Sequence, residues 1–240
     1  MRNPFQKKTN QDVWLKAGAG LGAALLAGIF AWLRRDDILD ILEFLKGKSL
    51  SVLGERRVGK TVLIDFLTSG TLPKEYVQTL YPQKTIPNDL KLKDLKLRIK
   101  KSIDVPGSED FCALWKDLTR KSDIVLYLLR VDMMEDKDTQ ERVKRDLGQI
   151  ESWLRESPKE FPLFIIGTHC DLTDTDFTKL PKHQKGYYVD DVRSKPIFRL
   201  IEQIAGGGGR VRFAFGSLKS QDATESLVYE ILDQVVNYNG

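Results

Sequence analysis

Glycines at positions 54 and 59 bracket four residues and are followed at once by Lys60 and Thr61, giving Gly54-Glu55-Arg56-Arg57-Val58-Gly59-Lys60-Thr61. An apolar run at 50–53 precedes this octet and an amphipathic run at 62–67 follows it, so it reads as a turn from strand to helix. The glycines let the backbone curl so that successive N–H groups face inward, and the following helix adds its positive N-terminal end. Such a concavity suits phosphate oxygens. Lys60 would reach the outer phosphates and the Thr61 hydroxyl would ligate Mg²⁺. Gly54, Arg56, Arg57, Val58, Gly59, Lys60, Thr61 and Val62 are the residues expected around the phosphates. A strand–loop–helix unit of this kind confines the chain to α/β architectures.

The 240 residues, 41% of them hydrophobic, suffice for one well-buried α/β domain with an appendage. The net charge of +4 is small and both signs are interspersed, so charge gives no case for a nucleic-acid partner. Cys112 and Cys170 lie far apart without metal-ligand spacing, which points to a reducing compartment and no disulfide framework. His169 and His183 are the only histidines, too few for a histidine-based zinc site or a catalytic triad. The glycine run at 206–209 reads as a flexible loop.

Residues 1–16 are polar and basic, and residues 17–33 (AGAGLGAALLAGIFAWL) then run without a charge up to Arg34-Arg35. At 1.5 Å per residue the run spans roughly 25 Å, slightly under the ~30 Å hydrocarbon core, and Val13-Trp14-Leu15 extends it. Trp14 and Trp32 sit where interfacial aromatics would lie, and Gly18/Gly22 and Ala24/Gly28 give small-residue spacings for close helix contact in lipid. We read a membrane anchor. A cleaved signal peptide would need a small-x-small site before the arginine pair, and none is clear. A buried soluble helix would carry a polar stripe, and a transit peptide would be Arg- and Ser-rich and amphipathic; this run is neither. Residues 36–45 follow as a short amphipathic helix, packed on the domain or lying on the membrane surface.

From Lys48 onward, short β-branched runs alternate with amphipathic ones. Strands are expected at 50–53, 91–95, 96–103, 124–131, 163–166 and 211–215, and helices at 60–67, 111–121, 139–156, 195–205 and 225–238. The fold class is therefore α/β: a three-layer, mainly parallel sheet of about six strands with helices on both faces, and ligand at the carboxyl ends of the strands.

Three further motifs each follow a predicted strand. In Asp104-Val105-Pro106-Gly107, Asp104 could hold Mg²⁺ through water and the Gly107 N–H could approach a terminal phosphate. In Thr168-His169-Cys170-Asp171, the Asp171 carboxylate could accept from N1–H and the 2-amino group of guanine, a pair of donors that adenine lacks. Ser217-Leu218-Lys219 could turn backbone N–H groups toward the guanine 6-oxo group.

With these four motifs in order, the stretch 48–237 resembles the Ras-like superclass of P-loop GTPases. Leu114-Trp115 is similar to the Arf branch, and an apolar helix ahead of the domain is similar in architecture to the β subunit of the signal recognition particle receptor. The resemblance implies GTP/GDP and Mg²⁺ as ligands. The base motif departs from Asn-Lys-x-Asp in having Thr168 and His169. Threonine can still bond the phosphate-loop backbone, and a histidine can stack on a purine, or else lie at the surface without a base contact. Thr85, with Thr79 as fallback, would be the first-switch threonine on Mg²⁺ and the γ-phosphate. Where relatives carry a water-orienting glutamine this chain has Ser108, then Glu109, so intrinsic turnover of GTP to GDP and phosphate should be slow unless a partner or a second protomer, in a homodimer, supplies the missing group. Guanylate-binding proteins resemble the chain in placing an arginine at the position of Arg57, where it acts as an arginine finger in cis; Arg57, Ser108 and Glu109 are accordingly the catalytic candidates. Alternatively, both arginines face solvent or the membrane surface.

The expected organisation is a basic segment at 1–16, a transmembrane helix at 17–33, a juxtamembrane helix at 34–47 and a GTPase domain at 48–240 on the cytosolic side, where GTP is available. The expected function is a membrane-anchored, nucleotide-dependent switch. The loops around 70–88 and 108–121 would recruit or gate a protein partner, and the long stretch 173–193 would be either a second partner surface or an ordinary insertion. The alternative is a non-hydrolysing module that keeps GTP as a structural cofactor in a membrane assembly platform. A small kinase using the same loop is disfavoured by Asp171 and Ser217.

Overall fold

The computed structural model describes residues 48–69, 72–73, 88–92, 95–101, 109–156 and 162–237. β1 (Ser49–Gly54) leads through the glycine octet into α1 (Lys60–Ser69). β2 (Asn88–Leu92) and β3 (Leu95–Lys101) pair antiparallel, with Leu92 opposite Leu95. Then come α2 (Glu109–Lys121), β4 (Ile124–Arg130), α3 (Lys137–Arg155), β5 (Leu163–Thr168), α4 (Lys182–Ser194), α5 (Pro196–Ile204), β6 (Val211–Phe215) and α6 (Gln221–Asn237).

The strands form one sheet in the order β2-β3-β1-β4-β5-β6, every pairing except β2–β3 being parallel. β1 lies inside the sheet. The chain moves out from it to β3 and β2 on one side and returns to β4, β5 and β6 on the other, so a crevice opens at the carboxyl ends of the strands beside β1. The octet and the residues following β4, β5 and β6 all emerge there.

Strand periodicity splits the core in two. On one face Leu50, Val52, Leu126, Leu128, Phe164, Ile166 and Ala214 pack against Leu63 and Phe66 of α1 and Leu227, Val228 and Ile231 of α6. On the other, Leu53, Val125, Tyr127, Leu129, Ile165, Phe213 and Phe215 meet Trp115 of α2, Leu147 and Trp153 of α3, and Phe198 of α5. Phe198 sits edge-on to both Phe213 and Phe215, at 5.8 and 5.5 Å between centroids. The two serines of β1 are absorbed by α2 and its C-terminal turn. Ser49 donates N–H and Oγ–H toward Asp123 Oδ2, each at 2.8 Å, and Ser51 Oγ bonds Ser122 Oγ.

Several expected boundaries move, each for a local reason. α3 starts at Lys137, two residues before the apolar stripe, because the Asp136 side chain accepts from the Thr139 N–H at 2.8 Å and caps the helix. α6 starts at Gln221 rather than 225, with Thr224 N–H donating to the Ser220 carbonyl at 2.9 Å. β2 lies about three residues before the predicted 91–95, since alternating Leu and Lys leaves the register of this hairpin open.

The stretch 173–193, to which the sequence assigns no element, holds all of α4 but its last residue. Its apolar stripe is short: Tyr188 and Val189 are half-buried and Val192 is fully buried, so little periodicity shows in the sequence. Within the stretch, Phe177 is buried and packs 5.0 Å from the half-buried Tyr188, while His183 and Tyr187 are exposed. The apolar run at 17–33 and the helix expected at 36–45 lie outside the described residues. Among the described residues no helix is long and apolar enough to cross a membrane.

Candidate functional site

The octet closes around its own lysine. Lys60 is buried, and its Nζ donates back to the carbonyls of Gly54, at 2.8 Å, and Glu55. This places an ammonium at the centre of the loop. The backbone is left-handed at Arg57 (φ 60°) and again at Gly59 (φ 91°), a pattern that turns N–H groups into a common concavity. At Arg57 that conformation costs roughly 1–2 kcal/mol relative to glycine. Its side chain and that of Arg56 lie exposed, whereas Val58 is buried in the core. Thr61 and Val62 are half-buried in the first turn of α1.

Gly54 and Gly59 are required by contact as well as by conformation. A Cβ on Gly54 would lie 2.3 Å from the Leu128 carbonyl oxygen, and one on Gly59 would lie 2.4 Å from Leu218 Cδ1. Leu218, the middle residue of the motif after β6, thus packs directly on the octet.

The two motifs after β5 and β6 form one unit. Ser217 Oγ donates to Asp171 Oδ1 at 2.6 Å and accepts from the Lys219 N–H at 3.1 Å; Lys219 Nζ stands 3.7 Å from Asp171 Oδ2. The Asp171 carboxylate is buried and fixed. Behind it, the Cys170 N–H donates to the Gly216 carbonyl at 3.1 Å and the Gly216 N–H to the Gly167 carbonyl at 2.9 Å.

These two glycines escaped the sequence reading. A Cβ on Gly167 would meet Phe215 Cδ1 at 2.4 Å, and one on Gly216 would meet the Leu227 Cβ at 2.9 Å. The available signal was a glycine immediately before each motif. Burial pushes the Cys170 thiol up to about 12, which marks it as an inert core group.

Thr168 ties this unit to the octet. Its buried Oγ1 lies 3.0 Å from the Val58 carbonyl, 3.0 Å from the Leu129 carbonyl and 2.9 Å from His169 Nδ1. His169 is half-buried and left-handed (φ 59°). Burial, then the Arg130 charge, lowers its pKa, so the ring is neutral at pH 7. Arg130, also missed from sequence, ends β4 and is gripped by Asp132 through both Nε (3.1 Å) and Nη2.

Gly54, Arg56, Arg57, Val58, Gly59, Lys60, Thr61, Val62, Thr168, His169, Asp171, Ser217, Leu218 and Lys219 thus emerge at one end of the sheet. Glu109 is the first residue of α2. Thr79, Thr85, Asp104, Gly107 and Ser108 lie outside the described residues, so of the expected Mg²⁺ ligands Thr61 alone is described. The arrangement offers an N–H-lined concavity with a buried ammonium, and a fixed carboxylate beside it. That combination suits a phosphorylated ligand carrying a donor-rich ring. The model of the Ras family matches residues 49–232.

Proposed function

Because the chain belongs to the Ras family, we propose that it is a membrane-anchored GTP-binding switch with slow intrinsic GTPase turnover. The nucleotide reading is carried by one observation, the buried Asp171 carboxylate oriented by Ser217 beside the octet. In this reading the octet and Lys60 hold the phosphates, and Thr168, His169, Asp171, Ser217, Leu218 and Lys219 surround the guanine. Thr61 and Asp104 hold Mg²⁺, with Thr85 joining in the GTP state. Bound there, Mg²⁺ would supply charge neutralisation.

Arg57 is the strongest catalytic candidate in the described part of the site. It lies on the octet, is exposed, and starts from a left-handed backbone that turns its side chain away from the core. Ser108 is too short to orient water as glutamine does, which supports slow turnover without a partner or second protomer. The same substitution favours the alternative of a GTP-bound structural module. Single-turnover assays on the purified chain separate the two: GDP formation supports the switch, and retained GTP without any GDP supports the module.

Membrane attachment rests on the uncharged run at 17–33 and its flanking arginines and tryptophans. The likeness to the signal recognition particle receptor β subunit is one of architecture and brings no partner with it. Flotation of the full chain with liposomes tests the anchor: Leu25→Arg should abolish co-flotation, and an unchanged distribution would remove the anchor from the proposal.

The test of ligand class is competition. Fluorescent GDP bound to the full chain should be displaced by GTP and GDP at concentrations at least a hundredfold below those of ATP and ADP. Equal displacement by adenine nucleotides would contradict a guanine site.

A further inference from the structure

Thr168 Oγ1 has three polar neighbours at about hydrogen-bond distance: the carbonyls of Val58 and Leu129, both at 3.0 Å, and His169 Nδ1 at 2.9 Å. A hydroxyl owns one proton and two lone pairs. Both carbonyls can only accept, so they share or compete for that single proton. Among these three neighbours the one able to donate into the hydroxyl lone pairs is His169 Nδ1. If Nδ1 carried no proton, three acceptors would crowd one donor in a fully buried position, at the cost of at least one buried hydrogen bond.

We propose that His169 is a positioning residue: its Nδ1–H donates to Thr168 Oγ1 and thereby leaves the Thr168 proton to the carbonyls of Val58, on the octet, and Leu129. The tautomer is assigned by the network. His169 does not need to touch the base for this role. It acts through Thr168, joining the strand that presents Asp171 to the loop that presents Lys60. In relatives with Asn-Lys-x-Asp, an asparagine carries its own donor at the first position; here the hydroxyl of Thr168 has its direction set by the next residue.

The inference rests on the nucleotide reading only for its functional readout. His169 has a left-handed backbone (φ 59°), which asparagine and aspartate tolerate about equally well. The two side chains have nearly the same size and differ in polarity at the position of Nδ1: asparagine can donate, aspartate can only accept. The experiment measures dissociation of fluorescent GDP from the full chain as wild type, His169→Asn and His169→Asp, each with Thr168 and with Thr168→Val. His169→Asp should release GDP about tenfold faster than His169→Asn, the factor expected for one lost hydrogen bond. With Thr168→Val the Asn and Asp variants should differ by less than twofold. Equal rates for Asn and Asp beside Thr168, or a difference that persists undiminished with Thr168→Val, would overturn the proposal. Thermal unfolding of the same six proteins without nucleotide is the second readout. A gap between Asn and Asp that closes with Thr168→Val supports the latch even if wild type binds no guanine nucleotide, a result that would count against the nucleotide reading alone. Absence of the gap counts against the latch.

Discussion

Ser217 donates its hydroxyl proton to Asp171 Oδ1 across 2.6 Å, while its oxygen accepts the Lys219 N–H. Two loops that are 46 residues apart in sequence are thereby locked into one rim. The carboxylate keeps its remaining lone pairs for a ligand with paired donors. Ser217→Ala removes this orientation without altering the fold of β6. It should weaken GDP affinity by about tenfold, the value of one charge-assisted hydrogen bond, and reduce discrimination against inosine nucleotides, which lack the 2-amino group. Titration of fluorescent GDP, with IDP as competitor, measures both.

Leu218 and Gly59 are in contact, so they should be energetically coupled. Gly59→Ala places a methyl group on Leu218 Cδ1 in a backbone conformation that already excludes it (φ 91°). A loss of roughly 2–4 kcal/mol in chemical denaturation is expected, combining overpacking with left-handed strain. Adding Leu218→Ala should restore the overpacking part, about 1–2 kcal/mol, and leave the strain. Strict additivity of the two substitutions would show that they do not meet.

The arginines of the octet make a kinetic prediction. If Arg57 stabilises charge on the transferring phosphoryl group, Arg57→Ala should lower single-turnover GTP hydrolysis by at least a hundredfold with little change in GDP affinity. Arg56→Ala should change it by less than tenfold. Equal effects would remove the finger in cis.

His169 should also leave a signature in stability against pH. Burial and Arg130 hold its folded-state pKa below the ordinary 6.5, opposed by Asp132 and Asp171. Between the folded and unfolded values the unfolded chain binds more protons, so stability rises with pH across that window. The contribution is complete above about pH 6.5 and is lost as pH falls toward the folded value. Denaturant midpoints measured from pH 7.5 to 5 should fall less steeply for His169→Asn than for wild type. Parallel slopes would mean that the imidazole titrates normally.

Cys170 should be silent to alkylation. With its thiol pushed to about 12, the thiolate fraction at pH 8 is about a thousandfold below that of an ordinary thiol. Iodoacetamide labelling of the Cys170 peptide, read by mass spectrometry, should be negligible in the folded chain and rapid in denaturant. Rapid labelling of folded protein would place the thiol at the surface.

Most of the sheet was readable because β-branched strands and amphipathic helices have distinct periods. β4 is an apolar run closed by Arg130, β6 is bounded by Arg210 and Gly216 with Arg212 as its one charged residue, and α1 follows a motif that demands a helix. α4 was not readable, because a helix resting on three apolar side chains beside an interior glycine carries almost no period. At the site, the side chains that would touch the ligand were recognisable by type and by their place after strands. The groups that hold them were not. Gly167 and Gly216 matter through contacts with Phe215 and Leu227, and Arg130 matters through its field on His169; these are properties of the packed sheet that no local pattern records.

Whether Asp171 reads guanine is tested most directly by one substitution. Asp171→Asn exchanges an acceptor for a donor at the carboxylate position, which matches the 2-oxo group of xanthine in place of the 2-amino group of guanine. In competition against fluorescent GDP and XDP, the variant is expected to lose about a hundredfold or more in GDP affinity and to gain XDP binding that the wild type lacks. Undiminished GDP affinity in Asp171→Asn, with no gain for XDP, would contradict the account.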